Sequence, residues 1–251
     1  MAKLKGILKI EGTLGDITFY KGKDGDYVAK TKSGVSKKRI EKDPAFARTR
    51  ENGSEFGSVA HSGKLIRLGS SVLINKAKEP TLNNRLVQIL TKVKNLDVVS
   101  IRGSRQVAIG LATAEGKAFL KGYDFNSKSV LGAVLRCPYV LDTATGSVSL
   151  TDFMPVDMVQ HPTNSTHVTL ATGFLCLDLA TGIYEMTYSD SVNLKLDMAI
   201  SSPIMRPNDV PSGDGFKFYF FLIEFFQEVN GVQYALNNGI YNVLNLLEVA
   251  D

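Results

Sequence analysis

Between Phe216 and Phe226 the chain is apolar on both sides of a strand: Phe216, Phe218, Phe220 and Leu222 alternate with Tyr219, Phe221, Ile223 and Phe225. A strand with two apolar faces predicts a central position, covered from both sides. The run extends to Val229 and meets Asn230-Gly231 before Val232 to Leu236, the preferred dipeptide of a two-residue hairpin. Asn238-Gly239 predicts another turn before Ile240 to Val249. From Asn126 onward alternation is frequent, and Asp-x-Ala-Thr-Gly occurs twice, at Asp142 to Gly146 and Asp178 to Gly182. In each copy Asp can close a turn on its own backbone and Gly can take the left-handed position. Calcium needs six to eight oxygens, and each loop offers one carboxylate, so the turn reading prevails. Several short strands with regular turn signals predict a two-sheet sandwich or jelly roll.

The first half follows other periods. Strands are expected over Leu4 to Ile10, Ile17 to Lys21 and Tyr27 to Lys32, the last two joined by a turn at Asp24-Gly25. Their many lysines prevent burial of both faces, which predicts an edge sheet or an arm lying on something else. Ser33-Gly34 and Lys37-Lys38-Arg39 lead to Asp43-Pro44, an N-cap acceptor followed by proline at the first helical position. A helix is expected from there to about Leu73, with Phe46, Thr49, Gly53, Phe56, Ala60 and Gly63 on one stripe. Interior glycines cost a helix about 1 kcal/mol each, so the stripe predicts close approach by another backbone, of this chain or a neighbour. A second helix, Leu82 to Lys94 after Thr81, buries Leu82, Leu86, Ile89, Leu90 and Val93. One or two short helices are expected over 98–121, with Val99, Val107, Leu111 and later Phe119 and Leu120 as their apolar positions, and Gly122 stops them. The fold class is α+β: a β-hairpin arm over 1–42, a helical region over 43–126, and an antiparallel β-sandwich or jelly-roll-like domain over 127–251.

Charge adds a polarity to this division. The 251 residues carry a net charge of +4, but residues 1–105 hold 22 Lys+Arg against 10 Asp+Glu, +12, and residues 106–251 hold 7 against 15, −8. Lys30, Lys32, Lys37, Lys38, Arg39, Lys42, Arg48 and Arg50 form the densest cationic stretch. They would neutralise several phosphates if they shared a face. The chain has no Trp and no basic strand interleaved with aromatics, and its acidic half repels a polyanion, so nucleic acid is the weaker partner reading.

Reactive constellations are scarce. His61, His161 and His167 lack close metal-ligand spacing, and His161 and His167 flank a Pro-Thr-Asn-Ser-Thr loop that predicts two exposed imidazoles. Cys176 with His167 suggests a thiol nucleophile only by composition, since Gly-Phe-Leu-Cys-Leu-Asp-Leu places the thiol among core positions. Cys137 and Cys176 read as buried thiols of a reducing compartment. No P-loop, Gly-x-Gly-x-x-Gly or Gly-x-Ser-x-Gly occurs. No cofactor or metal is expected. The N-terminus lacks a signal-peptide h-region, and the longest apolar run is too short to span a membrane, which predicts a cytoplasmic location without membrane insertion, or release in a virion-like particle.

Gly12-Thr-Leu-Gly-Asp-Ile-Thr-Phe-Tyr20, Ser33 to Ile40 with Asp43 to Asn52, and Ile223 to Tyr234 resemble an uncharacterised family common in Bacteroidetes-type bacteria, over nearly the whole chain. The opening also resembles a wider group that starts with a β-hairpin and a helix entered through Pro. The resemblance implies a bacterial or phage-related origin and assigns no catalytic residue.

The expected function is a non-enzymatic structural protein that assembles head to tail with copies of itself into a filament, tube or ring, basic half against acidic half. Phe19, Tyr20, Lys37, Lys38, Arg39, Arg48 and Arg50 are the expected contact residues, with Phe46, Gly53 and Phe56 as close-packing positions. A phage-type virion or tail component is the first alternative; a nucleic-acid or glycan binding module is the second.

Overall fold

A computed structural model describes residues 2–4, 10–22, 25–31, 34–77 and 79–251, with the side chains of 2–4 and 237–238 left aside. Most of the strand expected over Leu4 to Ile10 lies outside the described residues, as do Asp24, Lys32 and Ser33. The chain forms two compact units, residues 1–52 and 53–251.

The first unit holds strands β1 (Ala2–Leu4), β2 (Gly12–Leu14), β3 (Ile17–Lys21) and β4 (Tyr27–Thr31), paired antiparallel in the order β1-β4-β3-β2. A short helix α1 (Lys37–Lys42) starts at Ser36, whose hydroxyl accepts from Arg39 N. Asp43 then caps a turn of 3₁₀ helix at Pro44–Phe46, its carboxylate accepting from Ala45 N at 2.9 Å.

The helix entered through Pro44 continues as α2 (Ala47–Gly69). It breaks at Ser70, whose hydroxyl donates to Ile66 O, and resumes as α3 (Ser71–Lys76). Helix α4 (Leu82–Asn95) buries Leu82, Leu86, Leu90 and Val93 as the spacing predicts, while Ile89 is only half-buried. Thr81 stands at its start without capping it, because its hydroxyl donates to Glu79 instead. Helices α5 (Val107–Leu111) and α6 (Ala114–Leu120) follow. Residues 98–106 contain no helix, contrary to the expectation for Val99. The buried carboxylate of Asp97 captures the amides of Val99, Ser100 and Gln106 and closes a loop there.

The remaining elements are β5 (Tyr123–Asp124), α7 (Leu131–Val134), β6 (Val140–Asp142), β7 (Ser147–Ser149), α8 (Pro155–Met158), β8 (His167–Leu177), β9 (Tyr184–Tyr188), β10 (Val192–Lys195), β11 (Ile204–Met205), β12 (Phe216–Val229), β13 (Val232–Ala235) and β14 (Val243–Ala250). A seven-stranded antiparallel sheet runs β10-β8-β12-β14-β5, with β9 also on β8 and β13 on β12. β12 is central: it pairs with β8 from Phe216↔Leu177 to Phe226↔His167, and with β14 on its other side. Phe218, Phe220 and Leu222 face a core shared with α2, α3, α4, α5 and α6. Tyr219, Phe221, Ile223 and Phe225 face a second core with α7 and β7. β7 belongs to a three-stranded sheet in the order β11-β7-β6.

The fold class is α+β with an antiparallel, β-rich body. Helices cover one face of the large sheet, and the small sheet with its neighbouring loops covers the other. Segments expected as separate helical and β domains, 43–126 and 127–251, therefore contribute from residue 53 onward to one core. Lys76 Nζ meets Glu224 at 2.8 Å across that join. Asn230 and Gly231 take φ of 52° and 78°, the left-handed pair that a tight hairpin requires.

Both Asp-x-Ala-Thr-Gly segments form the same turn. Asp142 accepts from Ala144 N at 2.9 Å and Thr145 Oγ1 at 2.7 Å; Asp178 accepts from Ala180 N at 2.8 Å and Thr181 Oγ1 at 2.6 Å. The threonine hydroxyl and alanine amide hold each carboxyl below its ordinary range. Gly146 and Gly182 both sit at positive φ, 71° and 77°. Their surroundings differ: a Cβ on Gly146 would lie 2.7 Å from the Phe174 ring, and one on Gly182 would lie 3.3 Å from Leu65. Gly182→Ala is expected to cost roughly 1–2 kcal/mol for the left-handed backbone, and Gly146→Ala about 1–3 kcal/mol more for overpacking. Urea denaturation of the two variants measures the difference, and equal midpoints would contradict it.

Candidate assembly surface

The four-stranded sheet of the first unit has two unlike faces. Register places Leu14, Ile17, Phe19, Tyr27 and Ala29 on one side, with Lys21 and Thr31, and Thr13, Thr18, Tyr20, Val28 and Lys30 on the other. On the polar face the hydroxyls of Thr13 and Thr18 meet at 3.3 Å, and Lys30 Nζ lies 5.8 Å from the centre of the Tyr20 ring. On the apolar face Leu14 is 77% exposed, Ile17 is exposed, and Phe19, Tyr27 and Ala29 are half-covered. None of the described residues of 10–52 is buried. An amphipathic sheet in water gains its stability by burying its apolar face, and among the described residues of 10–52 no side chain of this face is buried.

Phe19 and Tyr20, adjacent in sequence, thus belong to opposite faces. Lys37, Lys38 and Arg39 lie on α1. Lys37 is 3.8 Å from Glu41, and Arg39 Nε donates to Asp43 at 3.0 Å while its guanidinium stands 5.6 Å from the Phe46 ring centre. Arg48 pairs with Glu51 at 3.6 Å. Arg50 donates to the carbonyls of Ile40 and Asp43 at 2.7 and 3.0 Å, joining α1 to the start of α2. Such exposed pairs are worth little individually and leave the cations available to a larger partner. Arg50 is the exception, since its guanidinium satisfies two helix-end carbonyls.

Gly53 and Phe56 belong to the second unit. A Cβ on Gly53 would meet nothing within 4 Å, and Phe56 is exposed. The glycine stripe, expected to admit another backbone, instead admits side chains of α4 at Gly63, where a Cβ would lie 3.3 Å from the Leu90 side chain.

Other chemistry is placed as follows. His167 is buried, contrary to the exposed imidazole expected. It starts β8, where its Nδ1 shares a hydrogen bond with Thr166 Oγ1 and its Nε2 lies 3.5 Å from Glu228. His161 Nδ1 is 3.0 Å from Ser165 Oγ. Cys176 lies nine residues along the same strand, about 30 Å from His167, and its thiol donates weakly to Gly213 and Gly215 carbonyls. Thiol and imidazole therefore form no pair. Cys137 is half-buried, and burial pushes its thiol up. Among the described residues no three His, Cys, Asp or Glu side chains are grouped to hold a metal ion, and no helix is long and apolar enough to cross a membrane.

The sequence reading missed the buried charge cluster around Glu55. This carboxylate accepts from Gly103 N at 2.9 Å, from Arg105 Nε and Nη2 at 2.8 and 2.7 Å, and from Lys94 Nζ. Its only sequence signal is one of two acids, Glu51 and Glu55, in a helix that also holds Arg48, Arg50, Lys64 and Arg67. No protein-family model, curated protein or solved structure matches the chain.

Hydrogen bonding by Arg105, with Lys94 and Gly103 N, holds Glu55 at about 2, against 4.5 ordinarily. A lowered folded pKa stabilises the fold above the unfolded value, so this contribution is complete above pH 4.5 and fades as pH falls toward 2. Glu55→Gln strands the buried ammonium of Lys94 and is expected to cost about 3 kcal/mol at pH 7. Urea midpoints of the two proteins should converge as pH falls from 4.5 to 2; a gap independent of pH would refute the assignment.

Proposed function

We propose that this chain is a non-catalytic structural protein that assembles with copies of itself through its first unit. The observation that carries this reading is the amphipathic four-stranded sheet whose apolar face, Leu14, Ile17, Phe19 and Tyr27, is not buried by any described residue. A second copy supplies the missing cover, and the two units differ in charge in the sense that favours it. Residues 1–52 hold 13 Lys+Arg against 7 Asp+Glu, +6, and residues 53–251 hold 16 against 18, −2. Contact between unlike units of successive copies is heterologous, so its repetition gives a ring or a filament. Lys37, Lys38 and Arg39 set direction by attraction to the acidic unit, and Phe19 with its apolar neighbours supplies affinity.

Light scattering and sedimentation test the reading. Wild-type protein is expected to form large regular species at low salt. Ile17→Ser with Phe19→Ser should raise the concentration for half-assembly by about tenfold or more, given the area these side chains bury. Charge reversal at Lys37, Lys38 and Arg39 should weaken assembly most below 0.1 M salt, where the Debye length is about 10 Å or more. A wild-type chain that stays monomeric at high concentration and low salt contradicts the proposal. DNA binding with a steep salt dependence would favour a nucleic-acid partner for the same cations.

A further inference from the structure

The small sheet β11-β7-β6 also has two unlike faces. Val148, Leu150 and Met205 point into the second core. Alternation turns their neighbours outward: register sets Val140, Ser149 and Ile204 side by side, with Asp142 and Ser147 as the next pair. The chain before β11 keeps the same alternation, since Ser201 pairs with Phe153 of the core and Pro203 is buried, which leaves Ile200 and Ser202 on the outer side. Val140, Ile200 and Ile204 are exposed at 64%, 62% and 63%. One exposed apolar side chain is ordinary; three on one sheet face, set among serines, mark a contact surface.

Four carboxylates border this face. Asp142 lies on it, within reach of the Arg206 charge. Asp152 N donates to Ser202 Oγ at 3.1 Å, and Val156 N, next to Asp157, donates to Asp197 O at 3.4 Å, so Asp152, Asp157 and Asp197 gather at the Ile200 end. Neither Asp152 nor Asp157 has an ion-pair partner among the described residues. The acidity is local. Residues 53–137, which carry α2 to α6, hold 13 Lys+Arg against 5 Asp+Glu, +8, whereas residues 138–215, which carry the small sheet, hold 2 against 9, −7. The first unit, at +6, is therefore repelled by the helical side of a neighbouring body and attracted to its small-sheet side. Its own apolar face matches in kind: Leu14, Ile17, Phe19 and Tyr27, with Lys21 at one end.

We infer that the outer face of the small sheet, Val140, Ile200 and Ile204, receives the apolar face of the N-terminal sheet of the next copy, with Lys21 toward the carboxylates of Asp152, Asp157 and Asp197. The inference rests on the self-assembly reading and names the surface on the body that the first unit meets. Stacked sheets lie about 10 Å apart, with side chains of both filling the gap. Ser149, between Val140 and Ile204, leaves room there for the ring of Phe19 or Tyr27. The contact joins unlike surfaces, so it repeats from copy to copy.

The test uses the full chain in two arms. In the first, Ile200→Ser with Ile204→Ser should raise the half-assembly concentration by about tenfold or more, while the thermal midpoint stays at the wild-type value because both positions are exposed. In the second, Cys137→Ser removes the half-buried thiol, and Ile17→Cys chains are mixed with isotope-labelled Ile204→Cys chains under mild oxidant; exposed Ile183→Cys serves as the control in place of Ile204→Cys. A 17–204 disulfide between labelled and unlabelled chains is expected, well above the 17–183 yield. A folded Ile200→Ser, Ile204→Ser chain that assembles as wild type does, or equal 17–204 and 17–183 yields, overturns the inference alone, since the Ile17→Ser, Phe19→Ser result decides the assembly reading separately. If a chain carrying both cysteines forms the bond within itself at assembling concentrations, its own first unit covers the face and the inference falls. A monomeric wild type overturns both.

Discussion

The body of this protein is organised by one requirement: β12 is apolar on both faces and must be covered twice. A strand of this kind costs the fold most of its design freedom, because each face needs a layer of matching period. Helices of period 3.6 cover the Phe218, Phe220 and Leu222 side, and α7, the small sheet and their loops cover the Tyr219, Phe221, Ile223 and Phe225 side. β8 and β14 satisfy its main-chain groups on either edge. Tyr219 shows how fully the demand is met: its ring stacks on Phe174 at 4.6 Å, and its buried hydroxyl still reaches Thr143 O at 2.8 Å.

The N-terminal sheet faces the same physics with half the cover. Its more apolar face carries Leu14, Ile17, Phe19 and Tyr27 beside Lys21 and Thr31, and no described residue of that unit is buried. That contrast is what the proposed contact between copies answers. The charged pins of the body serve a related end. Glu79, pushed up by burial and brought down further by Ser127, Thr81 and Arg85 to about 2, anchors α4, while Arg85 also reaches the carbonyls of Asp124 and Phe125. Like Glu55, it spends buried charge on fixing a segment whose apolar content alone would leave its position loose.

Features set by local chemistry were legible in the sequence: the double-faced β12, the Asn230-Gly231 hairpin, the paired Asp-x-Ala-Thr-Gly turns, the Asp43-Pro44 start and the apolar stripe of α4. Each depends on residues within a few positions of one another. Features set by distant partners were not legible. His167 is buried because β12 and Glu228 arrive from about sixty residues away. Gly53 and Gly63 are both interior glycines of one helical stripe with steps of three and four, and the placement of Leu90 makes only the second a packing site. The same holds for the charge split at residue 105, which is a boundary in the sequence but falls inside a single core. Of the candidate surface, the separation of Phe19 from Tyr20 by face already follows from alternation along the expected strand; which residues of β2 and β4 share each face needed the register.

The order of the layers along the chain bears on synthesis. Helices α2 to α6 leave the ribosome before β8, β12 and β14, the strands they cover. At roughly 5–20 residues per second, the interval between the end of α6 and the end of β12 is about 5–20 s. For that time the stripe of Leu82, Leu86, Leu90 and Val93 has no sheet to rest on. Burial of that stripe against the sheet is therefore a late event of synthesis, completed only after β12 has emerged.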